Sequence, residues 1–66
     1  MNKDYIEGWI ARERDGYLYV FDEEPKRDNK IGGFKGANVL ELPKDMFPSQ
    51  RWTNEPRKVK VTIELL

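Results

Sequence analysis

The fold is decided by residues 9–21, which read WIARERDGYLYVF. Apolar residues alternate along both halves of this stretch, and Asp15-Gly16 between them is a dipeptide typical of a hairpin turn. A three-residue loop with Gly16 left-handed sorts the side chains better than a two-residue loop, which places charges opposite apolar residues. We therefore predict a hairpin from about Glu7 to Phe21 in the longer-loop register. The predicted pairs are Trp9 with Phe21, Ile10 with Val20, Ala11 with Tyr19, and Arg12 with Leu18.

In this register both faces of the hairpin are largely apolar. The aliphatic face carries Ile10, Leu18 and Val20, and the aromatic face carries Trp9, Tyr17, Tyr19 and Phe21. Two apolar faces predict either a central place in a sheet or a surface for a partner. We expect the aromatic face to be covered by Phe34, Phe47 and Trp52, because a chain with few aliphatic residues needs its aromatics for burial. The alternative is a stacking platform for single-stranded nucleic acid.

Strand signals also dominate the rest of the chain. Residues 58–65 alternate Val59, Val61, Ile63 and Leu65 with polar residues, which predicts a strand with one face in the core. Residues 39–42 predict another strand, and residues 25–30 predict an edge-like one. Residues 32–36 are glycine-rich and predict a flexible loop with one aromatic anchor.

A short helical turn is predicted near residues 44–47, because Pro43 and Pro48 bracket it and it can pack Met46 and Phe47 inward. The whole chain, residues 1–66, is therefore predicted to be a single all-β domain. We expect a small, mostly antiparallel sheet of four to five strands, curled into a half-open barrel or roll.

Composition excludes most catalytic chemistry. The 66 residues contain no His and no Cys, so there is no histidine base, no thiolate nucleophile, no disulfide and no zinc site of the usual kind. Carboxylates cluster at residues 22–24, but so small a sheet has little room for a catalytic cleft. We expect a protein that is not an enzyme and that uses no metal or cofactor.

The formal net charge of zero hides an asymmetry. Residues 1–24 hold three basic and seven acidic side chains, a net charge of −4, and residues 25–66 carry +4. One interpretation is that residues 22–24 and Glu13 neutralise the bases across neighbouring strands. The alternatives are a surface for a partner protein, head-to-tail self-association of the acidic and basic regions, and weak attraction of phosphates. The sequence pI of about 6.2 argues against a dedicated nucleic-acid-binding protein.

Two candidate sites follow from these patterns. The first hypothesis is a protein-interaction surface centred on Trp9, Arg12 and Tyr19, because exposed aromatics and arginine anchor many interfaces. The alternative is weak binding of single-stranded nucleic acid through a basic face of Arg27, Lys30, Lys35, Arg57, Lys58 and Lys60. Homodimerisation by edge-strand pairing is a further expectation, since an open sheet leaves unpaired edges.

The order of motifs resembles that of small proteins of phages, prophages and mobile elements in gut bacteria, for which no activity is assigned. The resemblance is carried by residues 9–12, Asp15-Gly16, residues 18–21, Pro25, Leu42-Pro43, Met46-Phe47-Pro48, Trp52, Glu55-Pro56 and the alternating strand from Val59. It implies an accessory role such as binding a host or phage protein. We expect a cytoplasmic location, because residues 1–5 lead into no apolar signal segment and no apolar run is long enough to span a membrane.

Overall fold

The computed structural model describes residues 3–66, apart from the side chain of Lys3, and it confirms an all-β fold. The strands are β1 (Lys3–Arg12), β2 (Leu18–Phe21), β3 (Lys26–Asp28), β4 (Gly33–Lys35), β5 (Asn38–Leu42) and β6 (Arg57–Glu64). Four of them form an antiparallel sheet in the order β5-β2-β1-β6, while β3 and β4 form a second, two-stranded sheet. The larger sheet stays open and does not close into a barrel. Met1 and Asn2, which belong to the segment in which no export signal is expected, lie outside the described residues.

The central hairpin has the predicted register. The strands β1 and β2 pair Trp9 with Phe21 and Arg12 with Leu18, as the sequence indicates. Gly16 adopts a φ of 101°, and the Glu13 N–H donates to the Tyr17 carbonyl at 2.8 Å to close the three-residue loop. A side chain is disfavoured at this φ, so glycine sets the turn geometry and thereby the register.

The prediction of a flexible loop at residues 32–36 is wrong, because Gly33–Lys35 is the strand β4. Two tertiary contacts order it. The ring of Phe34 is buried, and the Phe34 N–H donates to the Glu13 carboxylate at 2.7 Å. These contacts hold β4 and its partner β3 against the aromatic face of the larger sheet.

The helical turn expected near residues 44–47 is also wrong, since this stretch consists of turns and bends. The Met46 N–H donates to the Pro43 carbonyl at 3.1 Å, but a helix cannot continue from there. Pro48 has no N–H to donate to the carbonyl of Lys44 four residues earlier. That carbonyl accepts a hydrogen bond from the Arg12 guanidinium at 2.8 Å instead.

The two faces of the larger sheet are covered unequally. On the aromatic face, the buried Ala11, Phe21 and Phe34 form a core cluster against which Trp9, Tyr19 and Trp52 pack. On the aliphatic face, Ile10, Leu18 and Val20 are buried, but the outer part of β6 is not. The expectation that residues 58–65 face a core therefore holds only in part, since Ile63 and Leu65 are exposed.

Phe34 and Trp52 cover the aromatic face as predicted, with ring centroids 5.4 Å apart in an edge-to-face arrangement. Phe47 does not join them. It lines pockets on the aliphatic face beside Ile10 and Val59 and is 54 % exposed, so the inward packing predicted for it is wrong.

Candidate functional site

An incompletely covered apolar surface lies on the aliphatic face of the larger sheet. The register aligns Ile6 with Val61, and Ile10 with Val20 and in turn Leu40, so these side chains share the face. Ile6 is 45 % exposed and Ile63 is 54 % exposed. We call the surface the apolar groove; Phe47, Val59 and Val61 line its two pockets, and Ile6, Leu40 and Ile63 lie exposed on the same face.

Phe47 stands between the two pockets of this groove. One pocket, of about 220 Å³, is shared with Ile10, Gln50 and Val59, and the other, of about 240 Å³, extends over Val61. Phe47 adopts a φ of 51°, a left-handed conformation that is uncommon for a bulky side chain. A residue keeps such a conformation only when its surroundings fix it.

Arg12 provides that fixation. Its guanidinium donates to the carbonyl of Met46 at 2.8 Å and to that of Phe47 at 3.1 Å, while its Nε donates to the carbonyl of Gln50 at 2.6 Å. Further bonds run to the carbonyls of Gly16 and Lys44, each at 2.8 Å. One charged side chain thus gathers the carbonyls of residues 44–50 and holds Phe47 over the sheet.

The residues of the first predicted site, Trp9, Arg12 and Tyr19, do not share one surface. Trp9 and Tyr19 lie on the aromatic face, where both are half-buried against the core cluster. Arg12 pairs with Leu18 and lies on the opposite face, with its guanidinium occupied by backbone carbonyls. Arg12 therefore has a structural role. The prediction of one interaction surface centred on all three residues is wrong, because they lie on opposite faces of the sheet.

The surroundings of Tyr19 are acidic. Desolvation raises the pKa of the Tyr19 phenol above its ordinary value, and the nearby charges of Glu41, Glu13 and Asp15 raise this pKa further. Tyr19 also stacks with Tyr17, with ring centroids 6.3 Å apart. Phosphates are repelled by such a carboxylate-rich setting, so this part of the aromatic face does not favour a nucleic-acid platform.

The six bases of the alternative site are distributed over both faces. Arg57 pairs with Ile10 and so lies on the aliphatic face, whereas Lys58 pairs with Trp9 on the aromatic face. Lys30 is exposed in the turn between β3 and β4. The structure therefore does not bring the six into one basic patch.

Several of these bases have intramolecular partners. Lys35 lies 3.3 Å from Asp28, Lys58 lies 3.3 Å from Glu7, and the Lys60 Nζ lies 4.3 Å from the centre of the Tyr5 ring. The pKa of Asp28 is lowered, mainly by the N–H of Lys30 and then by Lys35. Bases are thus paired with acids of neighbouring strands, but the acids are Asp28 and Glu7 and not those that the sequence predicts. Glu13, one of the predicted acids, accepts the Phe34 N–H instead.

Arg27 has a different role from that predicted. Its guanidinium donates to the carbonyls of Trp52 and Asn54, both at 2.7 Å, and lies 5.0 Å from the Trp52 ring and 5.2 Å from the Phe34 ring. Its Nε is buried without a hydrogen-bond partner. Arg27 therefore fastens residues 52–54 to the smaller sheet.

Within residues 3–66, no group of three or more acidic side chains is placed to hold a metal ion. The same residues contain no helix with the length and apolarity needed to cross a bilayer.

The groove was not predicted from the sequence, because the residues that form it follow the pattern of core residues. Val59, Val61 and Ile63 alternate as a buried face does, and Phe47 between two prolines looks like an inward anchor. The chain length was the signal that could have revealed the groove. A hairpin with two apolar faces needs a covering layer on each face, and a chain of 66 residues supplies little more than one such layer.

Comparison of the chain with protein-family models, with curated proteins and with solved structures finds no match. The candidate function therefore follows from the groove itself.

Proposed function

We propose that this chain is a non-enzymatic protein-interaction module that binds a partner protein through the apolar groove. The observation that carries the proposal is the placement of Phe47: a half-exposed aromatic ring in a left-handed conformation, held over the groove by Arg12. An ordinary surface turn has no need of such a residue, and a conformation of this kind is usually maintained for a role.

The groove has the composition of an interface core. The side chains of Phe47, Ile6 and Ile63 are exposed on one face of the sheet, and an aromatic anchor that a partner buries dominates the binding energy of many complexes. The pockets beside Phe47 are shallow and of about 220 and 240 Å³, a size that suits a few side chains of a partner.

The wider setting of the proposal is an accessory role in a phage or mobile element, with a cytoplasmic location. The support for this setting is the resemblance of the sequence alone. Weak nucleic-acid binding is the less favoured function, since the six candidate bases are spread over two faces and several already have acidic or aromatic partners.

Photocrosslinking in cells tests the proposal. A benzophenone-bearing amino acid replaces Phe47 in one variant and Tyr5 in a matched control. Tyr5 is also aromatic and is 51 % exposed, but it lies on the opposite face. We expect a discrete adduct with a different protein from position 47 and none from position 5.

The partner identified by mass spectrometry is then titrated against purified chain. Phe47→Asn removes the ring while keeping a residue that tolerates positive φ, so the fold is retained. We expect at least a tenfold loss of affinity, which is typical of an anchor residue. Equal adducts from both positions, or unchanged affinity for Phe47→Asn, would contradict the proposal.

A further inference from the structure

The two edges of the larger sheet differ in how well they are protected against pairing with another chain. The edge strand β5 has five residues, a register shift opposite Val20 and Phe21, and Pro43 directly after it. The other edge strand, β6, has eight residues and pairs with β1 in one unbroken register from Arg57 to Glu64. It contains neither a proline nor a bulge, which are the usual protections of an edge.

Lysines can also protect an edge, but those of β6 lean away from it. The Lys58 Nζ lies 3.3 Å from the Glu7 carboxylate and 5.9 Å from the centre of the Trp9 ring, and the Lys60 Nζ lies over the Tyr5 ring. Each of these partners belongs to β1, on the inner side of β6. The ammonium groups therefore lie over the sheet and leave the outer backbone of β6 accessible.

The outer part of β6 also lacks support from other strands. Residues 3–8 of β1 pair with β6 but not with β2, whose pairing with β1 covers residues 9–12. This part of the sheet is a two-stranded ribbon, and such a ribbon is marginally stable in water. A further strand would supply backbone hydrogen bonds to the exposed edge.

Symmetry and charge select the strand that fits. Two antiparallel copies of β6 related by a twofold axis keep their faces on the same side. Since opposite residues must share a face, one residue of the strand lies directly opposite its own copy across the axis. Two registers then pair seven residues of the strand. One places Lys60 opposite Lys60, which is repulsive, and the other places Val61 opposite Val61.

We propose that two copies of this chain associate through antiparallel pairing of β6, with Val61 of one copy directly opposite Val61 of the other. This register places Val59 opposite Ile63, Lys60 opposite Thr62, and Lys58 opposite Glu64. Apolar residues thus meet apolar residues, and no like charges are opposed. The product is a continuous eight-stranded sheet in which the apolar grooves of both copies lie on one side. The inference goes beyond the proposed function, because it concerns the strand edge and not the groove.

Cysteine trapping tests the register, and the chain has no Cys of its own to interfere. Val61→Cys places two thiols directly opposite each other, with Cα atoms about 4.5–5.5 Å apart, which a disulfide can bridge. Lys60→Cys is the matched control, since its Cα atoms would be about 8 Å apart, beyond the usual limit of about 7 Å. We expect Val61→Cys to form the covalent dimer at least tenfold faster than Lys60→Cys under mild oxidation.

Sedimentation of the unmodified chain provides a test that no substitution can disturb. We expect the weight-average mass to rise with concentration from 7.8 kDa towards twice that value. A mass that stays at the monomer value at millimolar concentration would overturn the proposal, as would equal trapping rates for the two variants. Neither result touches the crosslinking from position 47, so the two proposals fail separately.

Discussion

At the scale of single residues, Arg12 lies on the central hairpin but also holds a distant segment, residues 44–50, in place. Its guanidinium donates to four carbonyls of residues 44–50 and to that of Gly16, and no shorter or less planar side chain can reach the same five carbonyls. The residue therefore links the central hairpin to the turn that presents Phe47.

Replacing Arg12 by lysine is expected to lower the free energy of unfolding by about 2–4 kcal/mol, because several carbonyls lose a charged donor. Urea denaturation followed by tryptophan fluorescence measures the change. Arg51→Lys is the control, since Arg51 is exposed and its backbone N–H, not its guanidinium, makes the bond to Asn54. An equal effect of the two substitutions would contradict the role given to Arg12.

Ionisation of Tyr19 is expected to lower the free energy of unfolding at alkaline pH. Its pKa is raised above the ordinary 10.0 by desolvation and by Glu41, Glu13 and Asp15. The neutral phenol is therefore favoured in the folded state. The associated stability is fully present below pH 10.0 and is lost as the pH rises through the folded-state pKa.

Absorbance titration of the phenols is expected to show a late step that Tyr19→Phe removes and Tyr5→Phe retains. Tyr19→Phe should also flatten the fall of the unfolding free energy above pH 10.0. A late step that persists in Tyr19→Phe would show that another tyrosine carries the raised pKa.

At the scale of elements, the hairpin and its covering by Phe34 and Trp52 were predictable, but the local structure of the covering segments was not. The register of β1 and β2 follows from alternation and from Asp15-Gly16, which are local properties of the sequence. The strand β4 has only three residues, and its order depends on Glu13 and on the stacking of Arg27, which come from elsewhere in the chain. The groove was missed for the same reason: its exposure depends on where residues 43–50 dock.

The close approach of β1 to the end of β2 requires a glycine at position 8, which the sequence pattern did not indicate. A Cβ at this position would lie 2.7 Å from the Phe21 carbonyl oxygen and 2.8 Å from the Val20 Cγ1. The backbone of one strand end thus packs directly on the other strand, where only glycine leaves room.

Gly8→Ala is expected to lower the free energy of unfolding by about 1–3 kcal/mol, because a packed backbone must shift. Gly33→Ala is a graded comparison, since its Cβ would meet the Glu13 carboxylate, the end of a flexible side chain. We expect it to cost about 1 kcal/mol, through the weakened bond to the Phe34 N–H. Chemical denaturation of both variants checks the order, and a larger effect at Gly33 would contradict the packing argument.

At the scale of the whole molecule, the extents of 44 × 22 × 14 Å describe a long, thin body. Burial is concentrated where four strands lie side by side, at Ala11, Leu18 and Val20. The ribbon of residues 3–8 and 59–64 extends from this centre with little cover. Local stability in a protein follows buried contacts, so it should decline along the long axis.

Hydrogen exchange at low protein concentration, where the chain is monomeric, is expected to show this decline. Amides of Ala11 and Val20 should exchange only through global unfolding, whereas the amide of Ile6 in the ribbon should exchange through local opening and at least tenfold faster. Raising the concentration should slow exchange in the ribbon, because the ribbon gains a neighbouring strand. It should also slow exchange in the centre, because association stabilises the folded chain against global unfolding. Equal protection along the whole length at low concentration would mean that the sheet opens as one unit, and the ribbon would then need no partner strand for its stability.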